Sequence, residues 1–263
     1  MNKKILVVAL GGTIGSVKSD CIRLDKNNLK ILDFCKRSDV ELKGVSPFSL
    51  LSENMTAELL QRLIDFIDGV DKAEYLGIII LHGSDTLSFT SAVIANAFPD
   101  DNIVLTAADK PIEDKESNGI KNFNMALDHL LSGARGVYVA YNKIMKAITV
   151  TGPAPNDDFI SVETNARPIN SRKIRSKNIL IITPYVNISL DNYDFSRVDA
   201  VLFTMYHSAT VPKNIADFAK GADIPVYFVT HKPSADYETA EGIENILFSS
   251  TVENAYARLL LTD

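Results

Sequence analysis

Two periodicities alternate along the chain. Residues 4–10 and 76–81 are apolar on both faces, the pattern of strands buried in a parallel sheet, and shorter runs at 40–45, 103–107, 137–141, 179–183, 200–205 and 226–229 read as further strands. Between them apolar residues recur at helical spacing. Leu59, Leu60, Leu63, Ile64 and Ile67 follow a capping Thr56 and stop at Gly69. Residues 87–98, 120–131, 213–220 and 252–261 give further helices, the last capped by Thr251, and a weaker helical pattern runs through Leu29, Leu32 and Cys35. Asn142-Lys143 is placed to turn a hairpin that returns through Ile148 and Val150. From Gly152 to Lys177 the periodicity lapses into Pro, Asn, Asp, Arg and Lys, as in a linker. Strand alternating with helix predicts an α/β protein: a doubly wound, mostly parallel sheet domain over residues 1–155, a linker at 156–177, and a second, smaller α/β domain at 178–263.

The 263 residues carry a net charge of -6, with 46% apolar and 23% charged residues, ordinary for a globular protein able to bury a large core. An acidic chain with pI near 5.3 argues against nucleic acid as a partner, because phosphate binding needs a basic face. Apolar runs are too short to span a membrane, and the N-terminal stretch lacks an export cleavage pattern. Cys21 and Cys35 have no metal-ligand spacing, so a reduced, cytoplasmic setting without a metal or other cofactor is expected.

Chemistry concentrates where strands end. Gly11-Gly12-Thr13-Ile14-Gly15 follows the first strand, in neither a dinucleotide nor a P-loop spacing. Ser52-Glu53 follows the second, and His82-Gly83-Ser84-Asp85-Thr86 the third. Ligands of doubly wound sheets bind outside the carboxyl ends of the strands. Hydroxyls beside carboxylates there suit the capture of a small zwitterion and attack on its carbonyl carbon. Glu53 and Asp85 are candidates to hold an ammonium group, Ser52 a carboxylate, and Thr13 or Ser84 to be the nucleophile. His82, at the end of a buried strand, reads as a ring donating to backbone rather than as a base. For Glu53 and Asp85, favouring the start of the next helix is the competing role.

In this order and spacing, the segments Gly11–Gly15, Ser52-Glu53-Asn54-Met55-Thr56 and His82–Thr86 resemble the three signature segments of the bacterial-type L-asparaginase (asparaginase/glutaminase) family. Ser117-Asn118-Gly119, with Asn122 and Asn124, is similar to a fourth. The resemblance implies a flavodoxin-like first domain and a cofactor-free amidohydrolase converting L-asparagine, or glutamine, to the acid and ammonia. It implies Thr13 as nucleophile, Ser84 and Asp85 as further catalytic residues, and Ser52, Glu53, Gly83, Ser84 and Asp85 around the amino-acid substrate. A homo-oligomer, dimer or tetramer, is implied as well. The pattern departs from the family at three places: Ser84 for threonine, Gly152 where a lysine is expected, and Cys21-Ile22 where a loop tyrosine is expected. These departures support a second expectation, an amino-acid-binding homologue with little or no turnover.

Overall fold

The computed structural model describes residues 3–154, 156–176 and 178–262; the domain limits expected at 1, 155, 177 and 263 fall on positions outside these. The chain opens with β1 (Lys3–Ala9), a short hairpin of β2 (Ser16–Lys18) and β3 (Ile22–Leu24), the single turn α1 (Ile31–Phe34), and β4 (Val40–Val45). There follow α2 (Ala57–Asp68), β5 (Gly77–Leu81), α3 (Leu87–Ala97), β6 (Ile103–Thr106), α4 (Gly119–Leu131), β7 (Val137–Tyr141) and β8 (Lys143–Lys146). In the first sheet the order is β4-β1-β5-β6-β7-β8, with all pairs parallel except the edge pair β7–β8. The five parallel strands therefore run in the flavodoxin order, and the order reverses between β1 and β5.

Strand periodicity sorts the core into two layers. Leu6, Val8, Leu10, Ile78, Ile80, Ile103 and Leu105 face α2 and α3, whereas Ile5, Val7, Ala9, Ile79, Leu81 and Val104 face α1 and α4. Thr56 accepts the Leu59 N–H and starts α2, whose Leu60, Leu63, Ile64 and Ile67 are buried. By contrast α3 is buried nearly all round, because it lies between the sheet and the C-terminal helix.

The remaining elements are β9 (Val150–Thr151), β10 (Ile160–Ser161), β11 (Ile179–Ile182), β12 (Ala200–Thr204), α5 (Lys213–Gly221), β13 (Val226–Val229), β14 (Ile246–Leu247) and α6 (Val252–Leu261). A second, fully parallel sheet runs β11-β12-β13-β14. Ile215 and Ala216 of α5 pack on one of its faces. On the other, Ala255 of α6 meets Leu202 and Val229, while Ala257, Leu260 and Leu261 of the same helix join the first core. One helix thus belongs to both cores.

Several features differ from the sequence expectation. The polar stretch after Gly15 pairs as the β2–β3 hairpin, whose two strands are too short to show alternation. The return from β8 breaks at a 3-10 turn, Ala147–Thr149, and β9 pairs with β10. Within residues 156–176, Phe159 and Ile174 are buried. The backbone N–H of Ile174 donates to Gln61 Oε1 (2.7 Å), that of Ile169 to Asn96 Oδ1 (3.2 Å), and that of Asn170 to the Asn96 carbonyl (2.7 Å). Asn96 is itself buried and donates to Asn254 of α6 (2.9 Å).

Two buried titratable groups sit among these junctions. His82, just past β5, has its Nδ1 2.7 Å from the Gly83 carbonyl, and burial pushes its pKa down to about 4. A carbonyl only accepts, so Nδ1 carries the proton and the ring is neutral. Glu253 of α6 accepts from Thr151 Oγ1 (2.9 Å) and the Gly152 N–H (3.2 Å), and burial raises its pKa.

Asn96→Ala should lower stability by about 2–3 kcal/mol, since it strands partners on α6 and the 169–170 segment; urea unfolding at neutral pH measures this. Between pH 6.5 and 4 the unfolded chain protonates His82 while the native chain does not, so native stability falls with falling pH over that window. The slope due to this one group is at most about 1.4 kcal/mol per pH unit. His82→Gln should remove it, and the difference between variant and wild type separates it from Glu253, which acts in the opposite sense.

Candidate active site

Three turns meet where the strand order reverses. Pairing of β1 continues past its end: the Leu50 N–H donates to the Leu10 carbonyl (2.9 Å), the Gly12 N–H to the Leu50 carbonyl (3.1 Å), and the Leu10 N–H to the Leu81 carbonyl (3.0 Å). The glycines permit a close approach. Gly12 has φ +70°, and a Cβ built on it would lie 2.3 Å from the Gly83 Cα. A Cβ on Gly83 would lie 2.3 Å from Ser52 Oγ. Thr86 Oγ1 donates to the Ser52 carbonyl (2.9 Å) and ties the 82–86 turn to the Ser52–Asn54 turn.

The turns that meet here carry the expected residues. Thr13 opens the 3-10 turn Thr13–Gly15 and is half-buried, as is Ser84; Glu53 and Asp85 are exposed, and Ser52 is buried. Among the described residues, the side chains of Thr13, Glu53, Ser84 and Asp85 have no hydrogen-bond or ion-pair partner, and the buried Ser52 Oγ has none either. Buried or convergent polar groups without internal partners are what a polar ligand requires. Asp85 does not cap α3, whose N-cap Thr86 makes no side-chain capping bond because its hydroxyl is committed to Ser52. The N-terminus of α3 is left for an anionic group. Glu53 and Asp85 place exposed carboxylates on the two adjoining turns.

The other motif residues are structural. Asn122 Nδ2 donates to the Ala107 carbonyl (3.0 Å) and its Oδ1 accepts the Asn142 N–H (2.9 Å); Asn118 Oδ1 accepts the Asp109 N–H (3.0 Å). Together they fix the crossover from β6 into α4. Lys143 pairs with Asp158 (3.3 Å), and Lys146 lies at the other end of β8, opposite Tyr138. Their strand is three places from β5, roughly 14 Å by sheet spacing. At Gly152 the N–H is held by Glu253 and the carbonyl by Ser88 Oγ (2.8 Å). Cys21 is exposed in the β2–β3 hairpin. Among the described residues, no group of three or more His, Cys, Asp or Glu is arranged to hold a metal ion and no helix is long and apolar enough to cross a membrane.

Sequence reasoning missed Thr86 as the tie to Ser52, and Lys30, which is buried beneath the Thr13 turn with its ammonium on the Ser16 carbonyl (2.7 Å). A lysine in a polar loop carries no signal of burial, and its flanking Leu29 and Ile31 are the one hint.

The family profile described as "Asparaginase, N-terminal" matches residues 4–194. The L-asparaginase of Thermococcus kodakarensis is 30% identical over 159 residues, which cover 56% of this chain and 47% of that protein, so the match spans about half the length of that relative. In three dimensions the thermostable L-asparaginase from the same organism superposes over 98% of this chain and 92% of its own, with TM-score 0.76 and 20% identity. A probable cytoplasmic L-asparaginase from Campylobacter jejuni covers 98% and 94%, with TM-score 0.77 and 18% identity; at these identities the likeness is one of fold. With the profile matched over most of its length, and its signature turns gathered at the sheet's switch point, this chain belongs to the asparaginase family.

Proposed function

We propose that the protein hydrolyses the side-chain amide of L-asparagine, with L-glutamine as a second substrate, to the free acid and ammonia, using Thr13 as nucleophile. The observation that carries this is the contact of Gly83 with both Gly12 and Ser52, which brings the turns bearing Thr13, Ser84 and Asp85, and Ser52 and Glu53 against one another. The substrate's ammonium is held by Asp85 and Glu53, and its α-carboxylate by Ser52 and the N-terminus of α3. Thr13 Oγ1 attacks the carboxamide carbon, and the proton it gives up passes by way of the Ser84 hydroxyl to the amide nitrogen, which leaves as ammonia. Collapse of the tetrahedral intermediate expels ammonia and leaves an ester on Thr13. Water then attacks that ester and restores the hydroxyl. Ser84, on the turn pressed against Gly12, carries the second hydroxyl of the proton path.

A second reading has its own support. At Gly152 no side chain reaches toward Ser84, and the backbone there is committed to Ser88 and Glu253. An amino-acid-binding protein without turnover would keep the crevice and lack the amine that sharpens the hydroxyls. The homo-oligomer is supported by Tyr185, Val186, Tyr206 and Phe248, apolar side chains exposed beyond the carboxyl ends of β11, β12 and β14.

Purified protein should release ammonia from millimolar L-asparagine in a coupled assay. Thr13→Ala should lower the rate by about 1,000-fold or more while the chain stays folded, and Ser84→Thr should preserve or raise it. A rise in melting temperature with L-aspartate, but no ammonia from either amide, would favour the binding protein. Gly12→Ala, whose Cβ has no room against Gly83, should abolish turnover and cost about 2 kcal/mol or more of stability. Sedimentation should give a dimer or tetramer, and Val186→Asp should shift it toward the monomer.

A further inference from the structure

Lys30 is 7% exposed, an uncommon setting for a lysine, whose ammonium must find acceptors when it leaves water. It finds three. Nζ donates to the Ser16 carbonyl (2.7 Å) and to Asp25 Oδ2 (3.2 Å) and forms an ion pair with Glu113 (2.5 Å), so the one ammonium binds three separate stretches of chain. Ser16 begins β2 and Asp25 follows β3, so the ammonium grips both legs of the hairpin at its base, and Glu113 adds the loop between β6 and α4.

What that base carries is the nucleophile turn. Ser16 Oγ donates to the Gly12 carbonyl (2.7 Å), the Gly15 N–H donates to the same carbonyl (3.0 Å), and the Asp25 N–H donates to the Gly15 carbonyl (3.0 Å). Residues 12–16 therefore form a closed loop with Thr13 on it, and Lys30 holds the residue that closes it. The fit beneath is tight: a Cβ on Gly15 would lie 3.1 Å from the Asn28 Cβ. The hydrogen bond from the Asn27 backbone N–H, and after it the bond from Lys30, hold the Asp25 carboxyl below the usual carboxylate range.

We propose that Lys30 is a positioning residue for the hydrolytic reaction, a buried ammonium that locks the Gly12–Ser16 loop so that the Thr13 hydroxyl stays aimed at the bound amide. The inference rests on the reading of Thr13 as nucleophile. Among the described residues, Lys30 makes no hydrogen bond or ion pair with the Ser52 and Ser84 turns, which carry the proposed substrate-recognition groups, so its removal separates turnover from binding. A salt bridge that only stabilised the fold would not make that separation.

The experiment compares Lys30→Met, Lys30→Arg and Ser16→Ala with wild type by steady-state kinetics on L-asparagine and by amide hydrogen exchange. Lys30→Met should lower kcat at least tenfold with KM within threefold, and speed exchange at Gly15 and Asp25 about tenfold while the amides of α2 keep wild-type rates. Lys30→Arg should restore part of kcat. Ser16→Ala, which cuts the link to Gly12 alone, should lower kcat too, and combined with Lys30→Met it should add little. A folded Lys30→Met with unchanged kcat and unchanged exchange overturns the proposal, as does a joint rise of KM and of exchange throughout the chain. If Lys30→Met does not fold, Ser16→Ala decides, and wild-type kcat and exchange in that variant overturn the proposal. If the wild type hydrolyses no amide yet Lys30→Met loosens Gly15 and Asp25 alone, the loop lock stands and the amidohydrolase reading falls.

Discussion

The close approach of two backbones, Gly12 against Gly83 with Ser52 beside them, is the constraint on which the rest of this structure depends. A side chain at either glycine would occupy the space of its neighbour. Two parallel strands on either side of a topological switch point leave a crevice at their carboxyl ends in any protein of this architecture. Here the turns have collapsed into contact, which presses three distant parts of the chain, each bearing a hydroxyl residue, against one another. The elements beneath are strands buried on both faces, a helix α2 with one apolar stripe, and a helix α3 buried nearly all round.

That division explains what was legible beforehand. Strands such as β5 announce themselves by unbroken apolar runs, and α2 by its spacing, its Thr56 cap and its terminal Gly69, because local sequence carries those signals. The meeting of the Gly12 turn with the Gly83 turn, some seventy residues away, was readable through motif resemblance and the switch-point rule, which concern topology. Features made by tertiary contact were not readable. The β2–β3 hairpin is three residues a side, β14 is two, and Lys30 looks like any solvated lysine until the loops around it are in place. The 156–176 segment lacks periodicity for a similar reason. Its order comes from side chains elsewhere, Asn96 and Gln61, which supply partners for its backbone.

Buried polar groups in this chain sit at junctions between segments. Asn96 ties α3 to α6 and to the 169–170 segment, Glu253 ties α6 to β9, His82 pins the turn after β5, and Lys30 ties hairpin to loop. Each is costly when unpaired and specific when paired. Apolar packing brings the layers together, and these few groups decide how the layers register against one another near the crevice.

The double allegiance of α6 has a consequence for biosynthesis. A chain leaving the ribosome can assemble all six strands of the first sheet long before residues 252–261 emerge, yet α3 stays uncovered on its outer side until they do. Residues 252–261 therefore close a core whose strands are made much earlier, so neither sheet reaches its final packing until that helix is available.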